Sequence, residues 1–443
     1  MKRISTLLAA ALTLMLALPA SADRYLVQFK GKVSNLESTV ESLGGSVYFS
    51  HQRARVAVID GLDADGAAIL AKSKVVQDVI PNGALPMELG PDDIQGTESI
   101  DTVINSPGDP ATAFFYPLQW SHPQISADVA WAEGRLGSPG VTVAILDTGI
   151  DYLHADTAGL VDLARSASFV PDDDALAAIF FPARHPITDL HYHGTHVAST
   201  VSSNAIVTAG VTSMTTLMGV KVCSVFGTCP FDSIVMGLLH AVDNGADVAN
   251  MSLGGSYSKS DFPGFHSFLN RLFNFARSQG MTVVVSAGNS AADLDHDGDG
   301  YKTYCSTPST ICVSATGPSS ADNVLFGPWY NIDDPASYTN YGRSAINVAA
   351  PGGNDAGFVL QACSSSSLII PACAGGLSAV WLAGTSMASP HTAGVAALLV
   401  EDLGRDPGAI KEALEMGADD LGQSGTDPFY GKGRINVPNT VLP

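Results

Sequence analysis

Residues 383–390 read A-G-T-S-M-A-S-P and lead into an apolar run at 388–400 that is long enough for a buried helix. Ser386 would lie in the first turn of that helix, where backbone N–H groups lack helical partners and the helix dipole is positive. Such surroundings stabilise negative charge on an attacked carbonyl oxygen. Pro390 is compatible with the first turn, because there its missing N–H has no helical partner to lose. The stretch therefore predicts a nucleophilic serine, which needs a base and a group that orients the base.

Two motifs upstream supply these partners. Residues 141–151, V-T-V-A-I-L-D-T-G-I-D, predict a buried strand at 141–146 that ends in Asp147. Residues 193–198, H-G-T-H-V-A, place His193 just before a helical run. Active-site residues of open α/β sheets gather at the C-terminal ends of parallel strands. We therefore expect Asp147 to orient His193, and His193 to accept the proton of Ser386.

The three motifs D-T-G-I-D, H-G-T-H-V-A and G-T-S-M-A-S-P, in this order, resemble the active-site signatures of the subtilisin-like serine proteases (subtilases). The resemblance extends from about residue 119 to residue 437. It implies an endopeptidase that cleaves protein or peptide substrates through an acyl-enzyme, with Asp147, His193 and Ser386 as its triad and no cofactor for catalysis. S-A-G-N at 286–289 matches the family segment whose asparagine, here Asn289, donates to the oxyanion.

The same resemblance implies a substrate-binding region. Residues 250–255, N-M-S-L-G-G, are similar to the family segment whose edge pairs with the substrate backbone. The residues expected to line the first specificity pocket are Ser252, Leu253, Gly254, Ser286, Ala287 and Gly288. Small and apolar linings favour apolar or medium-sized substrate side chains.

From residue 116 onward, apolar strands alternate with helical patterns, which is typical of a parallel sheet with helices on both faces. The expected fold class is α/β, a subtilisin-like three-layer fold with a central, mostly parallel sheet. The predicted strands are 141–146, 217–222, 248–251, 282–286 and 346–349. The predicted helices are 231–244, 265–279, 386–400 and 407–416, the last with Asp406 as its N-cap.

The N-terminal part predicts a separate ferredoxin-like α+β domain with the order β-α-β-β-α-β. Its strands are expected at 24–29, 47–50, 54–59 and 75–80, and its helices at 33–43 and 64–72, with Asp63 as an N-cap. It is similar to the propeptide of many subtilases, which implies a folding chaperone and an intramolecular inhibitor. An ordinary small domain is the alternative. We assign 23–83 to the propeptide, 84–115 to a linker that contains the maturation cleavage, and 116–443 to the peptidase domain.

Residues 1–22 have the features of a signal peptide: Lys2 and Arg3, an apolar run at 4–18 and A-S-A at 20–22. We expect a secreted protein, extracellular or periplasmic, that has no membrane contact after cleavage, and an uncleaved anchor is the alternative. The 22 basic and 43 acidic residues give a net charge of −21, which argues against nucleic acid as a partner. We expect a monomer.

Six cysteines allow fifteen pairings, but their clustering suggests three short-range disulfides. The expected pairs are Cys223–Cys229, Cys305–Cys312 and Cys363–Cys373. None forms a C-x-x-C zinc or redox pattern, so a structural role in an exported protein is favoured.

Two patterns suggest structural Ca²⁺. Asp293, Asp295, Asp297 and Asp299 alternate along a glycine-containing loop, and oxygen ligands at every second position suit this ion. The bidentate glutamate of an EF-hand is missing, so the expectation is a loop site, with a solvated acidic loop as the alternative. Asp156 matches a calcium ligand of the subtilases, although residues 202–210 lack the Asn/Asp-rich composition of the family loop. Asp156 is therefore either a ligand or a surface residue.

Two rival interpretations remain. His191, His193 and His196 resemble the histidine run of metallo-β-lactamase-type hydrolases, with Thr195 where that run has an aspartate. A metallohydrolase leaves the motifs around Asp147 and Ser386 unexplained. The other rival is a catalytically silent subtilase that only binds, although every triad residue type is present.

Overall fold

The computed structural model describes residues 24–87, 94–101, 109–305, 307–375 and 377–442. The chain divides into two compact units, one up to Gly83 and one from Ala84 onward. The predicted signal peptide, residues 1–22, lies outside the described residues. Within the described ranges, no helix combines the length and apolar character needed to cross a bilayer.

The N-terminal unit is an antiparallel four-stranded sheet with two helices. Its elements are strand Tyr25–Phe29, helix Val33–Ser42, strands Ser46–His51 and Val56–Asp60, helix Ala64–Ala71 and strand Val76–Pro81. Strand Tyr25–Phe29 is central and pairs with both Val56–Asp60 and Val76–Pro81. Asp63 caps the second helix by accepting the Gly66 N–H at 2.8 Å. The unit has its own core, which includes Phe29 and Leu36. The predicted element order and cap are confirmed.

The larger unit contains many short strands and several buried helices. Its strands are Ala84–Pro86, Gly96–Ser99, Thr142–Asp147, Ala167–Ser168, Thr216–Lys221, Thr228–Pro230, Val248–Met251, Gly254–Ser258, Thr282–Ser286, Gly300–Thr303, Thr310–Thr316, Ser320–Ala321, Trp329–Tyr330, Val348–Pro351, Val359–Ala362 and Ser378–Leu382. Its α-helices are Ser121–Gln124, Ala127–Ala132, Pro171–Phe180, His193–Val201, Phe231–Asp243, Phe265–Ser278, Thr385–Leu403, Pro407–Gly417 and Val437–Val441. Short 3₁₀ helices cover Pro110–Thr112, Tyr116–Leu118 and Pro371–Gly375.

Seven of these strands form one parallel sheet at the centre of the larger unit. Their order across the sheet is Val348–Pro351, Thr310–Thr316, Thr282–Ser286, Val248–Met251, Thr142–Asp147, Thr216–Lys221 and Ala167–Ser168. Helix Thr385–Leu403 packs on five of them. Val143 and Ile145 share a core cluster with that helix. Because side chains alternate along a strand, Ala144 and Leu146 are buried on the other face. The α/β expectation is confirmed.

The predicted helices and strands of the sheet are confirmed to within about three residues at each end, which is close to the usual disagreement over element boundaries. Asp406 caps its helix by accepting the N–H groups of Gly408 and Ala409, as predicted. Strand Thr310–Thr316 and helix Pro171–Phe180 were not predicted.

Two expectations were wrong. Pro390 is the sixth residue of helix Thr385–Leu403, not part of its first turn. Because Pro390 has no N–H to offer, the carbonyl of Ser386 instead accepts a hydrogen bond from Ser252 Oγ at 2.7 Å. Residues 84–115 are not a linker throughout, because Ala84–Pro86 and Gly96–Ser99 are paired strands. Residues 88–93 and 102–108 of that stretch lie outside the described residues.

Candidate active site

Asp147 and His193 lie together at the C-terminal edge of the central sheet. Asp147 is the last residue of strand Thr142–Asp147, and His193 is the first residue of helix His193–Val201. His193 Nδ1 lies 2.7 Å from Asp147 Oδ1, and both side chains are fully buried. The same Oδ1 accepts the Thr148 N–H at 2.7 Å. The carboxylate can therefore fix the imidazole with a proton on Nδ1, which leaves Nε2 as the basic nitrogen.

Two glycines let the elements that carry this pair approach each other. A Cβ on Gly194 would lie 2.1 Å from the Gly149 carbonyl oxygen, so a larger residue cannot occupy this position without displacing backbone. The Gly194 N–H instead donates to Thr148 Oγ1, which donates to Asp189 Oδ1 at 2.9 Å. Asp189 is buried, and burial raises its pKa to about 6. Asp189 also accepts a hydrogen bond from Thr195 Oγ1 at 2.6 Å. It therefore connects helix His193–Val201 to the turn after Asp147.

Ser386 occupies the first turn of helix Thr385–Leu403, as predicted, and is 7% exposed. Its Oγ donates weakly to the Ser252 carbonyl oxygen at 3.4 Å. Among the described residues, His193 Nε2 is buried and has no hydrogen-bond partner. The Ser386 hydroxyl is thus loosely held, and one ring nitrogen of His193 is unused. Ser386 Oγ and His193 Nε2 are therefore not hydrogen-bonded to each other in this structure, and catalytic hydrogen bonds in unliganded enzymes are often long.

Asn289 lies beside the same helix start. Its side-chain oxygen accepts the Thr385 N–H at 2.9 Å and the Thr385 hydroxyl at 2.8 Å. Thr385 Oγ1 in turn accepts the Gly288 N–H at 3.0 Å. Because the oxygen end of the carboxamide accepts from Thr385, the NH₂ end is the donor end of this side chain. Thr385 is a positioning residue that the sequence motifs did not single out.

The structure brings the two predicted pocket segments together. Strands Val248–Met251 and Thr282–Ser286 are parallel neighbours, so the segments that follow them leave the sheet at the same edge. Ser286 Oγ donates to the Leu253 carbonyl oxygen at 3.3 Å. The six residues predicted to line the pocket thus lie on two adjoining segments next to Ser386, namely Ser252, Leu253, Gly254, Ser286, Ala287 and Gly288.

A paired strand edge beside the predicted substrate-binding segment was missed in the sequence. Strand Ala84–Pro86 pairs antiparallel with Thr228–Pro230, and the Met87 N–H donates to the Gly227 carbonyl oxygen at 2.6 Å. Leu85 is buried and also lies against Gly255, beside the predicted substrate-pairing segment. The only sequence signal for this edge was the short spacing between Cys223 and Cys229.

A further paired segment lies on the strand that precedes Ser386 in the chain. Gly96–Ser99 pairs antiparallel with Ser378–Trp381, in the strand that leads through Gly384 to the nucleophile. Ile100 is packed in a small core cluster with Trp381 and Phe358. Described residues on both sides of 88–93 are therefore held on the larger unit.

The three histidines of the rival metal cluster have separate partners. His193 Nδ1 contacts Asp147, His196 Nε2 lies 3.1 Å from the Val359 carbonyl oxygen, and His191 Nδ1 accepts the His193 N–H at 3.3 Å. In the part of the chain that the structure describes, no group of three or more His, Cys, Asp or Glu residues could hold a metal ion. This arrangement does not support a metallohydrolase.

The four aspartates of the predicted calcium loop are not brought together either. Their partners are Asp293 with His296, Asp295 with Ser344, Asp297 with Lys259, and Asp299 with Ser258 and Ser260. Lys259 Nζ lies 2.7 Å from Asp297 Oδ1, so this carboxylate already forms an ion pair with a side chain of the protein. The described side chains do not fit a calcium ion at this loop.

Asp156 is neither a surface residue nor arranged as a calcium ligand. It is fully buried, and its Oδ1 accepts the N–H groups of Ile206 and Val207 at 2.9 and 2.8 Å. Its Oδ2 accepts the Thr208 N–H at 3.0 Å and the Thr208 hydroxyl at 2.9 Å. Four donors surround the carboxylate, and donors repel a cation. In this chain Asp156 holds the loop at 202–210 by hydrogen bonds.

All three predicted disulfides are present: Cys223–Cys229, Cys305–Cys312 and Cys363–Cys373. No cysteine of the described chain is free. Each bond closes a short loop of the larger unit, which agrees with a structural role.

An imidazole held by an aspartate at the edge of a parallel sheet, on a helix that packs against the helix whose first turn carries a serine, is compatible with a serine peptidase of the α/β class. Residues 138–433 match the Subtilase family of peptidases, and the chain belongs to that family. It is 31% identical to thermitase of Thermoactinomyces vulgaris over 341 residues, which cover 76% of this chain and 99% of the relative. It is 30% identical to a thermophilic serine proteinase of Bacillus sp. strain AK1, over 76% of this chain and 71% of the relative.

Solved structures agree on the fold. The epidermin leader peptide processing serine protease of Staphylococcus aureus has a TM-score of 0.71 and 20% identity, over 95% of this chain and 98% of that one. Fervidolysin of Fervidobacterium pennivorans, a keratinolytic enzyme related to subtilisin, has a TM-score of 0.68 and 22% identity, over 96% and 61%. The family match and the curated relatives make the chain a subtilisin-like serine endopeptidase.

Proposed function

We propose that this protein is a secreted endopeptidase made as a self-processing zymogen, in which Ser386, His193, Asp147 and Asn289 carry out the cleavage. The observation that supports this most strongly is the 2.7 Å contact between His193 Nδ1 and Asp147 Oδ1 in a fully buried setting. A buried aspartate beside an imidazole holds the ring in one tautomer and stabilises its protonated form.

In the proposed reaction, Ser386 Oγ attacks the peptide carbonyl carbon while its proton moves to His193 Nε2. Asp147 keeps the other ring nitrogen protonated and stabilises the imidazolium. His193 then gives the proton to the departing amine, and an acyl group remains on Ser386. Water deprotonated by His193 attacks the acyl carbon and releases the acid, which restores the serine.

The oxyanion formed in both steps would accept a hydrogen bond from the Asn289 side-chain amide. Two hydrogen bonds from Thr385 to the Asn289 oxygen support this role, because they leave the NH₂ group as the donor end of the side chain. The start of helix Thr385–Leu403 adds its positive dipole on the same side. A donor that is already fixed needs no reorganisation when the charge develops.

Substrates are expected to bind as an extended strand between two edges of the cleft. One edge is the segment Ser252 to Gly254, and the other is strand Thr228–Pro230. Support comes from Ala84–Pro86, which already lies in this way as an antiparallel strand against Thr228–Pro230 and beside Gly255. The small, apolar residues of the pocket segments favour apolar or medium-sized side chains before the scissile bond.

The N-terminal unit would serve as the propeptide, an intramolecular chaperone and inhibitor. Residues 84–87, which follow it directly, hold the edge where substrate is expected, so an uncut chain competes with substrate for the same site. We place the maturation cut within 84–114, and between Met87 and Gly96 in particular, because the segments on both sides are held as strands. Residues 88–93 lie outside the described residues.

Secretion has more support than calcium binding. Three disulfides support secretion, which also rests on the signal-peptide features of residues 1–22. Calcium has less support, because neither the acidic loop nor Asp156 fits the ion. No step of the proposed reaction uses a metal, and a monomer remains our expectation.

The test is the intact mass of the exported wild type, of Ser386→Ala, and of Ser424→Ala, the same change at an exposed serine. We expect the wild type and Ser424→Ala to lose a fragment that ends within 84–114, and Ser386→Ala to keep it. A serine-directed phosphonate should add its mass to the wild type but not to Ser386→Ala.

The other outcomes are informative. A wild type that keeps its N-terminal unit and takes no phosphonate would contradict the proposal and favour the catalytically silent subtilase. Loss of the fragment from all three proteins would show cleavage by another protease, and phosphonate labelling would then decide whether Ser386 is active.

A further inference from the structure

The disulfide Cys223–Cys229 lies between the catalytic aspartate and the second edge of the cleft. Cys229 is the middle residue of strand Thr228–Pro230 and is paired opposite Leu85. At the other end of the bond, the Cys223 N–H donates to the Asp147 carbonyl oxygen at 3.2 Å, next to the Val222 N–H at 2.9 Å. One covalent bond thus joins the backbone beside Asp147 to the strand where a peptide pairs.

The loop between the two cysteines is held from behind by other contacts. The Ser224 N–H donates to the Thr228 carbonyl oxygen at 2.9 Å, and the Gly227 N–H donates to the Ser224 carbonyl oxygen at 2.9 Å. The Val225 N–H donates to the Asp173 carboxylate, which forms a buried ion pair of 2.9 Å with Lys221. These contacts hold the turn itself, whereas the disulfide is the covalent link between Cys229 and the backbone beside Asp147.

What the disulfide adds is a fixed distance between the cleft edge and the catalytic centre. The carbonyl oxygen that accepts from Met87 belongs to Gly227, inside the loop, and the paired residue Cys229 is one end of the bond. Both cysteines are buried, with exposures of 0% and 3%. Binding of a peptide that extends to this edge depends on the position of the edge. A substrate with one residue before the scissile bond is too short to pair with it.

We infer that the Cys223–Cys229 disulfide is a positioning element for the substrate residues that lie N-terminal to the scissile bond. The inference rests on the proposed peptidase activity of the same site. It predicts an effect that depends on peptide length: the disulfide matters for extended peptides and has little influence on the chemistry at Ser386.

The experiment compares the mature wild type with the double variant Cys223→Ala/Cys229→Ala. The control is Cys363→Ala/Cys373→Ala, which removes a disulfide that is not part of this edge. Two substrates share the same leaving group and the same residue before the scissile bond: a blocked tetrapeptide and a blocked single amino acid. For Cys223→Ala/Cys229→Ala, the cleft-edge variant, we expect kcat/KM for the tetrapeptide to fall about tenfold because KM rises. This is the size expected from one or two weakened hydrogen bonds.

For the single-residue substrate, we expect the cleft-edge variant to stay within about twofold of the wild type, since no backbone hydrogen bond to this edge is involved. The control variant should affect both substrates alike. An equal loss on both substrates in the cleft-edge variant would overturn the inference and indicate a general structural role, and so would no loss on either. A wild type that cleaves neither substrate would instead refute the proposed function itself.

Discussion

Replacement of Asp156 by asparagine should destabilise the larger unit by about 2–4 kcal/mol. Asparagine has the same shape but only one acceptor oxygen. In either orientation its NH₂ group would face two donors, the N–H groups of Ile206 and Val207 or the N–H and hydroxyl of Thr208. A hydrogen bond to a charged group contributes about 1.5–3 kcal/mol, and partial relaxation of the loop offsets some of the loss of two.

The assay is denaturant unfolding followed by tryptophan fluorescence. All proteins carry Ser386→Ala, so that unfolded chains are not digested during the measurement. The matched control is Asp322→Asn, the same change at an exposed aspartate. The control should stay within about 0.5 kcal/mol of its parent, as is usual for surface substitutions.

The calcium interpretation makes the opposite prediction for the same residue. If donors fill the surroundings of Asp156, neither EDTA nor added Ca²⁺ should change the unfolding midpoint through this site. A midpoint that rises with Ca²⁺ in the parent and no longer does so in Asp156→Asn would refute our reasoning. An Asp156→Asn variant as stable as its parent would refute it as well.

Further predictions concern catalysis, acid stability and packing. Asn289→Ala should lower kcat by about 10²–10³-fold with little change in KM, as known for this donor in subtilisin, and steady-state kinetics on a peptide amide will check it. Burial lowers the pKa of His391 to about 4 and that of His196 to about 3. The unfolded chain then binds more protons below its histidine pKa of about 6.5, so the free energy of unfolding should fall as the pH drops from about 6.5 toward 4. Unfolding curves at several pH values will test this, and His391→Gln should flatten the dependence. Gly194→Ala should abolish self-processing because its Cβ would lie 2.1 Å from the Gly149 oxygen, and intact mass will show whether the N-terminal unit is kept.

The proposed catalytic residues could be assigned from the sequence because each belongs to a short contiguous motif. Asp147 ends an apolar strand and Ser386 lies at the start of an apolar helix, so the hydrophobic pattern places both at the ends of elements. The three disulfides were predictable for a similar reason, since each pair is close in sequence. In the N-terminal unit, alternating strands and an Asp63 cap define local structure that the rest of the chain does not override.

The predictions that were wrong concern contacts between residues that are far apart in the sequence. Whether Ala84–Pro86 and Gly96–Ser99 form strands depends on partners more than 140 residues away, Thr228–Pro230 and Ser378–Trp381. Proline and glycine in 84–115 suggested a linker. A strand whose pairing partner lies far away in the sequence leaves no local pattern that would show it. The four aspartates of the predicted calcium loop look like ion ligands in sequence, but their partners are His296 of the same loop, Ser344 and the segment 258–260.

Local motifs and periodicity were enough to assign the family, the order of the proposed catalytic residues and the separate N-terminal unit from the sequence. Which groups meet in space depends on the tertiary structure. It directs Asp156 at the backbone of 206–208, fixes Asn289 on Thr385, and places Cys229 opposite Leu85. Such contacts depend on the positions of distant strands, and a carboxylate accepts hydrogen bonds or binds a cation according to the groups that surround it.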